Sequence, residues 1–356
     1  MQNFISLNCT NMSSYVIPPS MINIITFEFT TMLRKTSEEE YNLLCSKTPM
    51  LDDSHSEWEK TFQTASKGYL NEKNRWLNIL ANESTRVVVD GIQDGYINAN
   101  FMLDGKYIST QAPLYETISD FWSMIWQQKS AVIVMLTKYV EKKIQKAYPY
   151  FKECGESEKC DNFIVTTAEI IKLPEITITK LYVSYGQEIR TIYHIHYTEW
   201  PDFGIPNSTE CMRTLVKLTD KYHIISKLSD LNGPIICHCS AGVGRTGTFI
   251  AIHNAITHLN NGISVNKINI SQIVTKMRNE RNGMVQVANQ YFFIYQTIND
   301  WIDHEVDTEQ NCSLNKKKKR RSCSLNSLPS YECSNIQLLH VNHKNILSMS
   351  SDISCQ

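Results

Sequence analysis

His238-Cys239-Ser240-Ala241-Gly242-Val243-Gly244-Arg245-Thr246-Gly247 joins a short apolar run, residues 234–237, to a segment of helical composition, residues 248–259. Strand, small-residue loop and helix together form an anion-binding geometry. Gly242 and Gly244 let the backbone turn so that several N–H groups converge on one point, and the helix N-terminus adds partial positive charge there. Arg245 brings a planar fork of donors matched to two phosphate oxygens. In that field a cysteine at the start of the loop favours its charged form, and a thiol pKa of about 8.5 falls to between about 3.5 and 7.5. Cys239 therefore reads as a nucleophile at neutral pH. A bare C-x5-R is weak in a chain with 11 cysteines, but the glycines, His238, Thr246 and the strand-to-helix setting strengthen it. The nucleotide motif G-x-x-x-x-G-K-[ST] is absent from the loop.

Outward from this loop the chain reads as a mixed α/β domain. Ile118, Phe121, Trp122, Ile125 and Trp126 keep helical spacing and are followed by a buried-strand run, 131–136. Residues 190–197 alternate as a strand, with Ile192, His194 and His196 on one face. Ile270, Ile273, Val274 and Met277 keep helical spacing, as do Ile294, Ile298, Trp301 and Ile302. Residues 1–27, rich in Ser, Asn and Pro, read as a flexible N-terminal segment, and 305–356 as a disordered tail. The domain spans 28–304.

Composition narrows the classes. The 356 residues carry 35 basic and 36 acidic side chains, a net charge of -1, which lacks the basic excess of a dedicated nucleic-acid binder. The longest uninterrupted apolar stretch, 131–136, is far short of a membrane span. The cysteines are odd in number and irregularly spaced, so neither a disulfide framework nor a zinc ribbon is indicated and a reducing compartment fits best. Residues 1–27 carry no Lys or Arg and make a poor signal peptide. The reading is therefore cytoplasmic and not secreted. The run from Lys316 to Arg321 is a candidate importin or polyanion contact, which would add a nuclear location, with a solvated tail as the equal alternative. His194 and His196 form an H-x-H pair, but without supporting ligands they read as ordinary strand residues.

The signature loop resembles that of the classical (non-receptor-like) protein tyrosine phosphatases. The likeness extends through Lys73-Asn74-Arg75, Tyr96-Ile97-Asn98-Ala99, Gln111-Ala112-Pro113-Leu114, Asp120-Phe121-Trp122, Trp200-Pro201-Asp202-Phe203-Gly204, and Arg278, Arg281, Gly283, Gln286 and Gln290. It implies a cysteine-dependent tyrosine phosphatase fold: a central twisted mixed β-sheet flanked by helices. It also implies hydrolysis of phosphotyrosine in proteins through a cysteinyl-phosphate intermediate, without metal or other cofactor. Cys239 is then the nucleophile, Arg245 the phosphate clamp and Asp202 the general acid, then base. Gln286 orients water, Thr246 stabilises the thiolate and His238 tunes its pKa. Ser240, Ala241, Gly242, Val243 and Gly244 cradle the phosphate, while Trp76, Asn78, Phe203 and Gln290 contact substrate.

Some positions depart from the family. Trp76 stands where Tyr is usual, and an aromatic wall there suits phosphotyrosine, since phosphoserine would not reach Cys239. Asn78 replaces a common Asp and loses its charge. Ala112 replaces Gly, and the segment 141–149 is shortened and altered, with Glu141 assigned by the resemblance to hold the signature arginine. The single-domain, Asn- and Ile-rich form is similar to phosphatases encoded by the polydnaviruses (bracoviruses) of parasitoid wasps, which implies interference with phosphotyrosine signalling in an infected host cell. Two rival readings stand beside the enzyme. A phosphotyrosine-binding, substrate-trapping module would usually lack the nucleophile, arginine or acid. A lipid or RNA phosphatase would favour added positive charge in residues 240–244, where there is no Lys or Arg.

Overall fold

The computed structural model describes residues 19–49, 51 and 57–321, with side chains from 31 to 304 of that range. In chain order it contains helices α1 (Pro19–Lys47) and α2 (Trp58–Thr61), then strands β1 (Arg86–Val88), β2 (Tyr96–Met102) and β3 (Tyr107–Thr110). Helix α3 (Ile118–Gln127), strand β4 (Val132–Met135) and a small hairpin of β5 (Val140–Glu141) and β6 (Ile144–Gln145) follow. Four strands come next, β7 (Ser157–Cys160), β8 (Phe163–Lys172), β9 (Ile176–Tyr185) and β10 (Glu188–Tyr197). The chain continues through helix α4 (Thr209–Lys227), strand β11 (Ile235–His238) and helices α5 (Gly244–Asn260), α6 (Ile270–Glu280) and α7 (Ala288–Arg321).

Nine of these strands form one mixed sheet in the order β1-β2-β3-β11-β4-β10-β9-β8-β7. The central neighbours β3, β11, β4 and β10 pair in parallel, and the flanking pairs are antiparallel. Parallel strands covered on both faces need apolar side chains on both, which accounts for the unbroken burial of β11 and β4. Ile235 and Cys237 enter the core that includes Phe249, Ile250 and Leu215 from α5 and α4, whereas Ile236 enters the core of Phe121, Trp122 and Ile125 from α3. Helices thus cover both faces. Because β11 lies at the middle of the sheet, the residues just past its C-terminal end emerge at the carboxyl edge of parallel strands, where α/β sheets place their ligand sites.

The helical spacing of Ile118, Phe121, Trp122 and Ile125 is realised in α3, and all four are buried. The apolar run 131–136 supplies β4, and 190–197 falls within β10. Helix α5 begins at Gly244, ahead of the apolar segment 248–259, so Arg245 and Thr246 belong to its first turn. That turn has no apolar period. Contacts with the loop before it and with residues far away in sequence fix it.

Both chain ends differ from expectation. Helix α1 starts at Pro19, inside the segment read as flexible; proline suits a first helical turn, and no Gly or further Pro interrupts residues 20–47. Helix α7 continues past His304 to Arg321, inside the segment read as disordered, and again no Gly or Pro stops it. Residues 1–18 and 322–356, and the side chains of the Lys316–Arg321 run, lie outside what is described. The described cysteines, Cys45, Cys154, Cys160, Cys211, Cys237 and Cys239, are all free. No described helix is long and apolar enough to cross a membrane.

Trp122 is fully buried between α3 and the sheet, and its indole N–H donates to the Tyr150 carbonyl at 3.1 Å. Trp122→Ala is expected to cost about 3–5 kcal/mol, read as a lower urea midpoint; an unchanged midpoint would remove α3 from the cooperative core.

Candidate active site

Strand β11 ends at His238 and delivers Cys239 into a loop that only glycine permits. Gly242 has φ +70°, and a Cβ placed on it would lie 2.2 Å from the Thr110 carbonyl oxygen. Carbonyls on the far side of the loop are held by buried donors. Ser109 Oγ and Arg281 Nε donate to Gly242 O at 2.8 and 3.0 Å, and Arg281 Nη2 donates to Ala241 O at 3.0 Å. With the carbonyls fixed outward, N–H groups turn inward. The Thr246 hydroxyl is buried without a hydrogen-bond partner among the described residues, and with the N–H groups of Gly242 and Thr246 it favours the charged form of the Cys239 sulfur.

Two nearby cysteines, Cys237 on β11 and Cys239 just past its end, show what this does. Cys237 is fully buried, and burial alone pushes its thiol pKa well above the ordinary value. Cys239 is nearly as enclosed, but the Arg245 charge and the neighbouring Thr246 and Gly242 groups outweigh burial and hold its pKa below the ordinary value. The thiolate is thus a product of the loop and the arginine. His238 stays neutral, since burial pushes its pKa down to about 4. Its Nδ1 lies 3.0 Å from the Cys239 carbonyl, which only accepts, so Nδ1 carries the proton. Nε2 then accepts from the Tyr150 hydroxyl at 2.8 Å. Tyr150 was not among the residues that sequence singled out; it follows the altered segment 141–149, where no pattern marks it.

Arg245 is the hub. Nη1 donates to Leu136 O at 3.2 Å, Trp200 O at 3.1 Å and Glu141 Oε1 at 2.6 Å. Nη2 donates to Glu141 Oε2 at 2.9 Å and Asp202 Oδ1 at 2.7 Å. The expected fork is present, but here its edge meets Glu141 and one nitrogen meets Asp202. Burial opposes ionisation of Glu141, yet the Arg245 hydrogen bonds and charge hold its pKa below the usual range.

Asp202 sits between two cations, with Lys146 Nζ at 2.6 Å from Oδ2 and Arg245 Nη2 at 2.7 Å from Oδ1. Partial burial works to raise its pKa, but those hydrogen bonds and charges lower it overall. In this arrangement the candidate acid is therefore ionised at neutral pH. The loop around it is anchored by Trp200, which is buried and donates to Gly204 O at 2.9 Å. Phe203 has φ +56° and is 64% exposed beside the acid. Gln290 ties this loop to the glutamine segment: Nε2 donates to Gly204 O at 3.4 Å, and Oε1 accepts from Gln286 N at 3.1 Å. Gln286 Oε1 lies 2.6 Å from where a Gly244 Cβ would stand, so the side chain rests directly on the signature loop.

Trp76 forms one wall. Its Nε1 donates to Ser240 Oγ at 3.3 Å, and Lys146 Nζ lies 5.6 Å from its ring centroid. Its neighbours are scaffold. Arg75 donates to the carbonyls of Ala112, Pro113 and Gln145, and Lys73 pairs with Asp120 at 2.9 Å. Asn78 is exposed. Val243 N-caps α5 and its carbonyl accepts from Val285 N at 3.1 Å. His194 and His196 stay on β10: His194 is buried among the rings of Tyr150 and Phe151, and His196 Nε2 lies 2.7 Å from Thr137 O.

The assembled parts are a low-pKa sulfur, an inward N–H cradle, a guanidinium and a carboxyl group touching that guanidinium. A protein-family model described as protein-tyrosine phosphatase matches residues 70–300. Tyrosine-protein phosphatase 3 of Dictyostelium discoideum is 37% identical over 310 residues, which cover 83% of this chain and 30% of that protein. Tyrosine-protein phosphatase 2 of the same organism is 41% identical over 241 residues, 66% of this chain and 60% of that protein. The chain thus spans less than two thirds of the length of either relative. The crystal structure of the catalytic domain of human protein tyrosine phosphatase non-receptor type 18 superposes with TM-score 0.68 at 27% identity, covering 76% of this chain and 98% of that one; the human protein has also been solved with phosphopeptides. The family match takes in the Cys239 loop and most of the described fold, and this chain belongs to the protein-tyrosine phosphatase family.

Proposed function

We propose that this protein hydrolyses phosphotyrosine in proteins through a cysteinyl-phosphate intermediate. The observation that carries the reading is the junction of three groups: a sulfur with lowered pKa, the guanidinium whose charge contributes to that lowering, and a carboxyl oxygen 2.7 Å from the same guanidinium. In the first step the Cys239 thiolate attacks phosphorus, the bond from phosphorus to the phenolic oxygen breaks, and Asp202 passes its proton to that oxygen. In the second, Asp202 takes a proton from water oriented by Gln286, the oxygen attacks phosphorus and the sulfur leaves as thiolate. Charge on the equatorial phosphoryl oxygens is met by the amides of residues 240–244 and by Arg245.

Asp202 must be protonated before the first step, and its resting partners oppose that. An incoming phosphate dianion competes for Arg245 Nη2, weakens the hold on Asp202 and adds nearby negative charge. Both effects favour protonation, so substrate binding itself prepares the acid.

The proposed setting is finer. The likeness to polydnavirus phosphatases supports substrates that are phosphotyrosine proteins of an infected insect cell, met in the cytoplasm or, through the basic run from Lys316 to Arg321, also in the nucleus. The phosphopeptide complexes of the human relative support a protein substrate.

Cys239→Ser is expected to abolish phosphate release from a small aryl phosphate, and Asp202→Ala to lower kcat about 10²–10⁴-fold with KM little changed. Full activity in Cys239→Ser would end the covalent mechanism. In kcat, which reports the substrate complex, the falling limb follows loss of the Asp202 proton, while ionisation of Cys239 lies on the acid side of an ordinary thiol. Removing a cation raises a carboxyl pKa, so Lys146→Met is expected to move the falling limb to higher pH; a limb that stays put would separate Lys146 from the acid. Asp202→Ala, presented to insect-cell lysate, is expected to retain tyrosine-phosphorylated proteins, and recovery of none would overturn the substrate class.

A further inference from the structure

We infer that the β5–β6 hairpin makes this site prefer phosphotyrosine flanked by apolar residues over phosphotyrosine flanked by acidic ones. The inference rests on the phosphotyrosine reading above and adds a selectivity to it. The starting observation is a strained turn. Strands β5 and β6 are joined by Lys142 and Lys143 alone, with φ +49° and +65°. A two-residue turn with both φ positive is normally given to Asn-Gly or Gly-Gly, because other side chains resist that conformation. Such strain persists where surrounding structure holds it, and it clusters at functional sites.

The turn sets Glu141 directly opposite Ile144. Opposed residues of an antiparallel pair project to one side of the ribbon, and Lys146, two residues beyond Ile144, projects to the same side. That side is the active-site cleft, because Glu141 grips Arg245 and Lys146 reaches both Asp202 and the Trp76 ring. Ile144 therefore stands between two residues that touch the catalytic groups, and its side chain is 52% exposed. Leu77, next after Trp76, is 60% exposed, and the exposed Phe203 follows Asp202. The cleft thus has apolar surface on three of the segments that frame it.

Charge at the same rim is largely committed. Glu141 and Lys146 are paired within the site, Arg75 is spent on three backbone carbonyls, Lys73 is bound to Asp120, and Lys138 to Glu199. Lys142 and Lys143 lie at the turn itself, one step farther along the ribbon than the Glu141–Ile144 pair. A peptide continuing out of the cleft therefore meets the Ile144 side chain before it meets those lysines. Its fitting occupant is an aliphatic or aromatic residue adjacent to the phosphotyrosine.

The test uses three phosphotyrosyl peptides of equal length, flanked by Leu, Ala or Glu, titrated calorimetrically into the full chain carrying Cys239→Ser. Covering a half-exposed isoleucine predicts binding about tenfold tighter for the Leu peptide than for the Glu peptide. Adding Ile144→Ser is expected to bring the two within about twofold, and Ile144→Lys to reverse the order. Equal binding by the Cys239→Ser protein, tighter binding of the Glu peptide, no binding of any peptide, or a preference that survives both Ile144 substitutions would overturn the inference. Aryl phosphate release by the wild-type chain, measured separately, reports on the phosphatase reading itself, so failure of one is distinguishable from failure of the other.

Discussion

The charge of Arg245 governs the site. It stands in the first turn of α5, buried, and the same guanidinium lowers the pKa of the Cys239 thiol, fixes Glu141 and holds Asp202. An unpaired guanidinium at this depth would be too costly to keep. Two carboxylates and two carbonyls supply its partners, and burial, which alone would lower its pKa, is overcome by Glu141 and Cys239. Cys239, Glu141 and Asp202 all respond to that charge. The opposite behaviour of Cys237, without the arginine and loop amides, shows how much of the thiolate depends on it.

A second buried cation supports the first from behind. Arg281 has no exposed surface, and its donors go to Asn98 and Asn100 side chains and to the carbonyls of Ala241 and Gly242. Burial draws its pKa to about 10, still charged at neutral pH. Strand β2 is thereby tied to the signature loop. The glutamine segment is fixed in a similar way: Val285 has φ +60°, poor for a β-branched residue, and its carbonyl accepts from Arg278 Nη2 at 2.9 Å and Tyr41 at 3.2 Å. Positive φ occurs around the Cys239 site at Phe203, Val285, Lys142 and Lys143, and away from it at Leu103, Lys129 and Asp161 as well. At Val285 it is opposed by the hydrogen bonds from Arg278 and Tyr41.

Resting geometry and turnover place different demands on Asp202. Paired with Lys146 and Arg245 it is well positioned but ionised, so the contacts that locate the acid also deprive it of its proton. In the proposed mechanism a substrate dianion resolves the conflict by taking one of those partners, which makes binding and acid activation the same event.

Much of the fold was legible because it follows from local periodicity. The apolar spacing of α3, the unbroken run of β4 and the glycines before Arg245 are properties of short segments, and Cys239, Arg245, Asp202 and Gln286 stand in segments whose composition marks them. Helices reach into both terminal segments because a helix needs only the absence of stops, which polar composition does not supply. Tyr150 on His238, Arg281 behind the loop, Lys146 on Asp202 and the contact of Arg245 with Asp202 beside the expected Glu141 were decided only in three dimensions. Each joins residues far apart in the chain, and local sequence does not encode which distant donor will face which acceptor once the sheet has brought them together.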